Sequence, residues 1–256
     1  MRRPRERSNS GVYHVVLRGI NRQDIFYDDD DYQHLLEIID QMKSDDQFVV
    51  YGYCLMTNHV HLLVRENTDT ISRIMSRIGI SYPWWYNRKY GRSGHVFQRR
   101  YGIECVENDD YLLTVLRYIH NNPVKAAMVQ KPEEYRWSSI HAYYGNREYP
   151  CGLSEPSFAL GIINQNRKIA LQSFREFMKK DNEDRCLEDE AKHRKTDTEI
   201  KTEIEKLMNS VPIGRFQGME RARRNEILRE IRKVDGVSLR QISRVIGLSV
   251  EIVFNA

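Results

Sequence analysis

The chain has 256 residues, 40% hydrophobic and 30% charged, with 40 Lys and Arg against 36 Asp and Glu for a net charge of +4. That length suits one large or two small domains, and with charge so nearly balanced its distribution says more than its total. No apolar run approaches the roughly 20 residues that cross a bilayer. The basic start Met1-Arg2-Arg3-Pro4-Arg5-Glu6-Arg7 has no apolar stretch behind it and does not read as a secretory signal. Cys54, Cys105, Cys151 and Cys186 form no C-x-x-C pair, which fits free thiols in a cytoplasmic protein better than a secreted scaffold or a zinc finger.

Residues 12–18 (VYHVVLR) are rich in β-branched side chains and read as a first strand. Residues 29–43 place Leu35, Leu36, Ile39 and Met42 at helical spacing behind an acidic start, which predicts a helix. Strands follow at 48–55 and 59–65, and the short Met56-Thr57-Asn58 join predicts an antiparallel hairpin. A second helix is expected over 71–89, kinked or bounded at Pro83, and a fourth strand over 101–106. A third helix is expected over 110–122, ended by Pro123 because the residue before proline resists the α region. The order βαββαβ plus one helix predicts an α+β, ferredoxin-like fold. In it an antiparallel sheet carries two helices on one face, and the third helix is free to lie on the other.

After Trp137 and Tyr144 the character changes. Residues 1–150 are expected to form the first domain, 151–195 a charged linker, and 196–256 an all-α, DNA-binding region. Residues 196–208 and 220–234 read as helices, and 238–249 (SLRQISRVIGLS) has a helix-turn-helix pattern. Ile242 and Val245 would face a core, Gly247 would turn the chain, and Ser249 would cap a second helix. That helix reaches only Ala256, about two turns on. A small helical domain of another kind is the alternative.

The densest chemistry lies in His59-Val60-His61. Side chains alternate along a strand, so the two imidazoles point the same way, about 7 Å apart. With a third ligand they can share a metal ion, which polarises a phosphate or activates a water. The plain alternative is the polar face of a half-buried strand. Tyr118 and Asn122 are four apart on one helical face. Packed beside the histidines, Asn122 would supply an oxygen ligand and Tyr118 a phenol, whose pKa of about 10 demands assistance before it can act as a nucleophile. Otherwise they are a core aromatic and a helix C-terminal residue. Residues 70–103 contain no Asp or Glu but carry Arg73, Arg77, Arg88, Lys89, Arg92, Arg99 and Arg100, either a polyanion-facing surface or a solvated helix face. Trp84, Trp85, Tyr86 and Tyr90 interleave with three of these, which suits single-stranded DNA or, equally, an amphipathic helix.

His59-Val60-His61 with Tyr118 and Asn122 resembles the HUH single-tyrosine transposases. The stretches 94–101 (GHVFQRRY) and 118–124 (YIHNNPV) resemble their REP-associated tyrosine transposase branch, over roughly residues 12–144. The resemblance implies that His59, His61 and Asn122 hold Mg²⁺ or Mn²⁺ and that Tyr118 is the nucleophile. It implies single-stranded, hairpin-forming DNA as substrate, attack of tyrosine on the scissile phosphate, and a 5′-phosphotyrosyl enzyme with a free 3′-hydroxyl. A second 3′-hydroxyl would then reverse the step and complete transposition. The arm Arg2, Arg3, Arg5 and Arg7 is implied to read bases beside the hairpin. Arg99 and Arg100 are expected at phosphate, by the bidentate geometry that suits arginine. Tyr111, on nearly the same face as Tyr118, is the rival nucleophile. Two other functions stay open: a catalytically silent DNA-binding repressor of its own locus, and a metal-dependent hydrolase using water. The C-terminal region adds duplex DNA as a partner, and monomer and dimer both stand. Because imidazole ligands must be neutral, activity is expected to fall in acid.

Overall fold

A computed structural model describes residues 6–43, 47–98, 101–180, 184, 186–187, 197–209, 211–234 and 237–256. The chain divides into two units, Met1–Glu188 and Asp189–Ala256.

The first unit contains β1 (Val12–Arg18), α1 (Asp29–Lys43), β2 (Phe48–Met56), β3 (His59–Glu66), α2 (Ile71–Lys89), β4 (Gly102–Cys105) and α3 (Asp109–Lys125). The strands form one sheet in the order β2-β3-β1-β4, and each neighbouring pair is antiparallel. Central β1 is buried along almost its whole length, as its near-continuous apolar run requires of a strand covered on both faces. Val16 lies opposite His61, and Arg18 opposite His59. Across the other edge of β1, His14 lies opposite Glu104 and Val16 opposite Gly102. Opposed residues share a face, so His14, Arg18, His59, His61 and Glu104 all project from one side of the sheet. Val15, Leu17, Val60, Leu62 and Val64, of the opposite parity, are core residues.

Helix α3 lies on the histidine side. A Cβ at Gly52 of β2 would fall 2.6 Å from Leu116 Cδ2, so the absence of a side chain there lets helix and strand close together. Helices α1 and α2 pack on each other, and α1 packs on β2. Neither proline breaks its helix: α2 continues through Pro83 and α3 through Pro123. Proline removes one hydrogen bond and crowds the carbonyl four residues back. In α2 that residue is Gly79, and buried Tyr82 and Tyr86 hold the helix on either side. In α3 Tyr118, Ile119 and Pro123 are themselves buried, and packing of a buried face outweighs local propensity.

Beyond α3 come α4 (Ile140–Tyr143), α5 (Pro156–Ile163) and α6 (Arg167–Lys179). The stretch expected as a charged linker is in large part core. Helices α5 and α6 pack against α3, and Leu160, Ala170, Phe174 and Met178 join the same hydrophobic cluster as the sheet. Ala170, Phe174 and Met178 recur every fourth residue, an apolar stripe hidden among charges. Asn166 caps α6 by accepting from the backbone N–H groups of Lys168 and Ile169. Past α6, Asp184 takes a bidentate ion pair from Arg117 of α3 at 2.6 and 2.8 Å.

The second unit holds α7 (Asp197–Leu207), α8 (Arg221–Lys233), α9 (Leu239–Ile246) and α10 (Val250–Asn255) around Ile200, Ile204, Phe216, Leu228, Ile231, Ile242 and Val253. Ser238 and Gln241 cap α9 reciprocally, Gly247 ends it with a left-handed φ of 69°, and Ser249 caps α10. No helix among the described residues is long and apolar enough to cross a membrane.

If α6 belongs to the folded core, Phe174→Ala should cost about 3–5 kcal/mol in urea unfolding of the whole chain. A loss below about 1 kcal/mol, the level of a surface substitution, would return this segment to a linker.

Candidate active site

His59 and His61 are the first and third residues of β3, with ring centroids 5.0 Å apart and planes at 82°. Helix α3 brings its C-terminal half to them. The Asn122 amide nitrogen lies 3.2 Å from His61 Nε2. One turn earlier, the Tyr118 ring is 5.7 Å from His61 and 6.1 Å from His14, edge-on to both. The helix is fixed there by local and tertiary forces together. Asn108 accepts from the Tyr111 N–H at its start, Asp109 and Asp110 occupy the first turn and Lys125 the last, each suited to the helix dipole. Leu112, Val115, Leu116 and Ile119 bury its inner face.

Behind His61 stands a row that the sequence reading missed. His14 Nε2 is 3.1 Å from His61 Nδ1, and the two rings stack. His14 Nδ1 is 3.2 Å from Glu104 Oε2. The Tyr111 hydroxyl donates to Glu104 Oε1 at 2.6 Å, and the Leu187 N–H donates to Oε2 at 3.3 Å. A polar residue on the histidine face of each of two apolar strands was the available signal, but strand order decides that they meet. Tyr111, the rival nucleophile, is therefore spent on Glu104. Burial first, then that hydrogen bond, push its phenol well above the ordinary value. Arg18 is a further missed residue, half-buried opposite His59.

Burial, with help from Arg18, lowers His59 to about 3. Burial, then His59, His14 and Arg18, hold His61 far below its usual range. Both rings are thus neutral bases at physiological pH. Burial raises Glu104, but hydrogen bonds from His14 and Tyr111 bring it to a net value below an ordinary carboxyl group. Burial and then Arg22 lower Arg18, against a raising influence from Tyr118, and the guanidinium stays charged. Lys125 Nζ stands 4.7 Å from the centre of the Tyr118 ring, so two cations neighbour the phenol.

These donors fit a divalent cation. His59 Nδ1 is bonded to Asn58 Oδ1 at 2.6 Å and His61 Nδ1 to His14, so Nε2 of each is the atom that could hold a cation. A flip of the Asn122 amide exchanges nitrogen for oxygen at the same position. Two neutral imidazoles and one amide oxygen leave coordination positions for water and substrate, as Mg²⁺ and Mn²⁺ require. Among the described residues no group of three or more His, Cys, Asp and Glu forms a metal cluster, so the amide is needed to complete the set.

The expected nucleic-acid contacts divide. Arg2, Arg3, Arg5, Arg99 and Arg100 lie outside the described residues. Lys89 is turned inward by charge: its ammonium bonds Asp28 at 2.6 Å and Asp31 at 2.9 Å. Arg92 donates to the Tyr86 hydroxyl and to Gln23. Arg88 is exposed and lies over the ring of Trp84, itself 64% exposed. Trp85 stacks on His34, and Tyr86 is core.

Residues 8–122 match the family described as IS200-like transposases. That match ends at Asn122, the asparagine that meets His61. A Haemophilus influenzae protein named as a REP-associated tyrosine transposase is 28% identical over 114 residues, 40% of this chain. The match spans 65% of that relative's length, just under two thirds. A structure of a REP-associated tyrosine transposase bound to a REP hairpin is 21% identical, covering 59% of this chain and 88% of that one with a TM-score of 0.49. A crystal structure assigned to a transposase of Deinococcus radiodurans is 16% identical, covering 47% and 97%, with a TM-score of 0.34.

The buried histidines set an acid limit on folding. His59 and His120 are lowered to about 3, chiefly by burial, and His61 is lowered too. Between that range and the ordinary 6.5 the unfolded chain binds protons that the folded one does not, so stability falls as pH drops through 6.5. His120 alone should cost about 2 kcal/mol by pH 5, and His61 adds a loss in the same direction. Melting in EDTA should therefore occur well below its pH 7.5 temperature at pH 5; equal temperatures would mean that these rings are not held neutral.

Proposed function

We propose that this chain cuts and rejoins single-stranded, hairpin-forming DNA through a phosphotyrosine on Tyr118, as a transposase of its own or related repeats. The observation that carries this reading is the convergence of Tyr118 and Asn122 with two neutral histidines inside the stretch that matches IS200-like transposases. The Tyr118 oxygen forms a bond to the scissile phosphorus as the bond to the 3′ oxygen breaks. The 5′ phosphate stays on tyrosine, and the 3′ oxygen leaves with a proton. Reversal by another strand's 3′-hydroxyl conserves the number of phosphodiester bonds, so no nucleotide triphosphate is consumed.

His59, His61 and Asn122 would hold Mg²⁺ or Mn²⁺, which when bound neutralises charge building on the phosphate. Lys125 and Arg18 stand beside Tyr118 as cations that attract the phosphate. The Tyr118 ring is only 3% exposed, whereas Arg18, Asn58, His59 and Asn122 are half-exposed. A phosphate would thus enter past those four, which a flexible single strand can do and a stiff duplex cannot. Trp84 with Arg88 supplies a stacking platform for unpaired bases. The basic N-terminal arm would read the hairpin's flank. We read the sheet order as ferredoxin-like, and α9 with α10 as a short helix-turn-helix that adds duplex contacts.

Incubation with Mn²⁺ and a labelled hairpin oligonucleotide from the repeats beside its gene should give a protein–DNA band on a denaturing gel. The band should vanish for Tyr118→Phe and with EDTA, and persist for Tyr111→Phe. A band that survives Tyr118→Phe would move the nucleophile elsewhere. Binding with no band would favour a silent repressor, and cleavage with no band a hydrolase.

A further inference from the structure

We infer that His14 and Glu104 act as a positioning relay that fixes the proton of His61 on Nδ1 and so presents its Nε2 as a lone pair toward Asn122. The inference rests on the reading of His61 as a metal ligand and concerns how that ligand is held ready. Both act through His61, although the His14 ring also lies edge-on to Tyr118 at 6.1 Å.

The direction of every proton in the row follows from its far end. Glu104 is an acceptor only, and Tyr111 and the Leu187 N–H already donate to it. The only ring atom facing it is His14 Nδ1, at 3.2 Å. A lone pair there would be set against a carboxylate, so His14 carries its proton on Nδ1. In a neutral His14 ring Nε2 is then an acceptor, and the atom 3.1 Å away, His61 Nδ1, donates to it. A neutral imidazole has one proton, so His61 Nε2 is bare. The Asn122 amide nitrogen 3.2 Å from that Nε2 agrees with an acceptor there. The reverse arrangement would put a proton on Nε2, where a cation could not bind without displacing it.

Two structural facts make the relay rigid. His14 and His61 are fully buried, so no water competes for either ring. The row also crosses three neighbouring strands, β3, β1 and β4, at positions that the pairing register holds opposite or adjacent. His59 gains the same orientation from Asn58, a neutral and local partner. His61 instead answers to a carboxylate two residues away through space, and Glu104→Gln tests that difference. The amide can turn its NH₂ to His14, which reverses every proton in the row and blocks His61 Nε2.

Two measurements read the relay without turnover. Nitrogen-15 spectra of histidine-labelled, metal-free protein should show His61, assigned through His61→Ala, as the Nδ1–H tautomer. Glu104→Gln should shift it toward Nε2–H. Paramagnetic resonance titration of Mn²⁺ should show affinity weakened about 10- to 100-fold in Glu104→Gln, the size expected for losing an outer partner of a ligand. An Nε2–H tautomer of His61 in the unaltered protein overturns the relay with no substitution involved. Unaltered Mn²⁺ affinity in Glu104→Gln, with binding lost in His61→Ala, also overturns it while leaving the metal site standing. Unaltered affinity in His61→Ala would instead remove the metal-site reading on which the relay rests.

Discussion

The antiparallel pairing of β1 with β3 is the constraint on which the site depends. Seven consecutive residue pairs, from Val12 with Arg65 to Arg18 with His59, set which side chains share a face. Side chains alternate with a period of two, so a slip of one residue would send His14 and Arg18 to the face opposite His59 and His61. Because β1 is central, its free edge can also receive β4, and that pairing sets Glu104 against His14. The row Glu104–His14–His61 runs across the strands, perpendicular to the chain. Its members come from three remote parts of the sequence, brought together by backbone pairing and then hydrogen-bonded to one another.

Helix α3 answers two demands with one surface. Leu112, Val115, Leu116 and Ile119 anchor it to the core, while Tyr118 and Asn122 on the same helix reach the histidines. Its outer side is fastened by Arg117 to Asp184 and by Asn121 to the Met178 carbonyl. Placement of the phenol is therefore a property of the whole packing of the first unit. The continuity of the helix through Pro123 belongs to the same account, because a break there would free Asn122 from the histidine strand.

What the sequence disclosed was local: β-branched runs for strands, an apolar stripe with an acidic start for α1, and two histidines of one parity in β3. Those signals survive because they depend on residues within one element. Pro123 misled as a helix boundary, since tertiary burial of Tyr118 and Ile119 overrides a local penalty. Lys89 misled in another way. The basic stretch reads as a polyanion-facing surface or a solvated face, but the fold sets Lys89 against Asp28 and Asp31 at the acidic start of α1, and each satisfies the other. The relay behind His61 and the half-buried Arg18 were illegible for the related reason that strand order cannot be read from any single strand.

The family match stops at residue 122, yet the folded unit runs on to Glu188. Phe174 and Met178 fill the same core as the sheet, the Leu187 N–H bonds Glu104, and a Cβ on Gly102 of β4 would press on Leu187 at 3.0 Å. Shared ancestry and physical integrity thus have different limits in this chain. Chimeras that exchange domains between relatives at the edge of recognisable similarity would separate the tyrosine helix from its own outer support. The natural unit of exchange is longer, and it includes a stretch that lies beyond the family match.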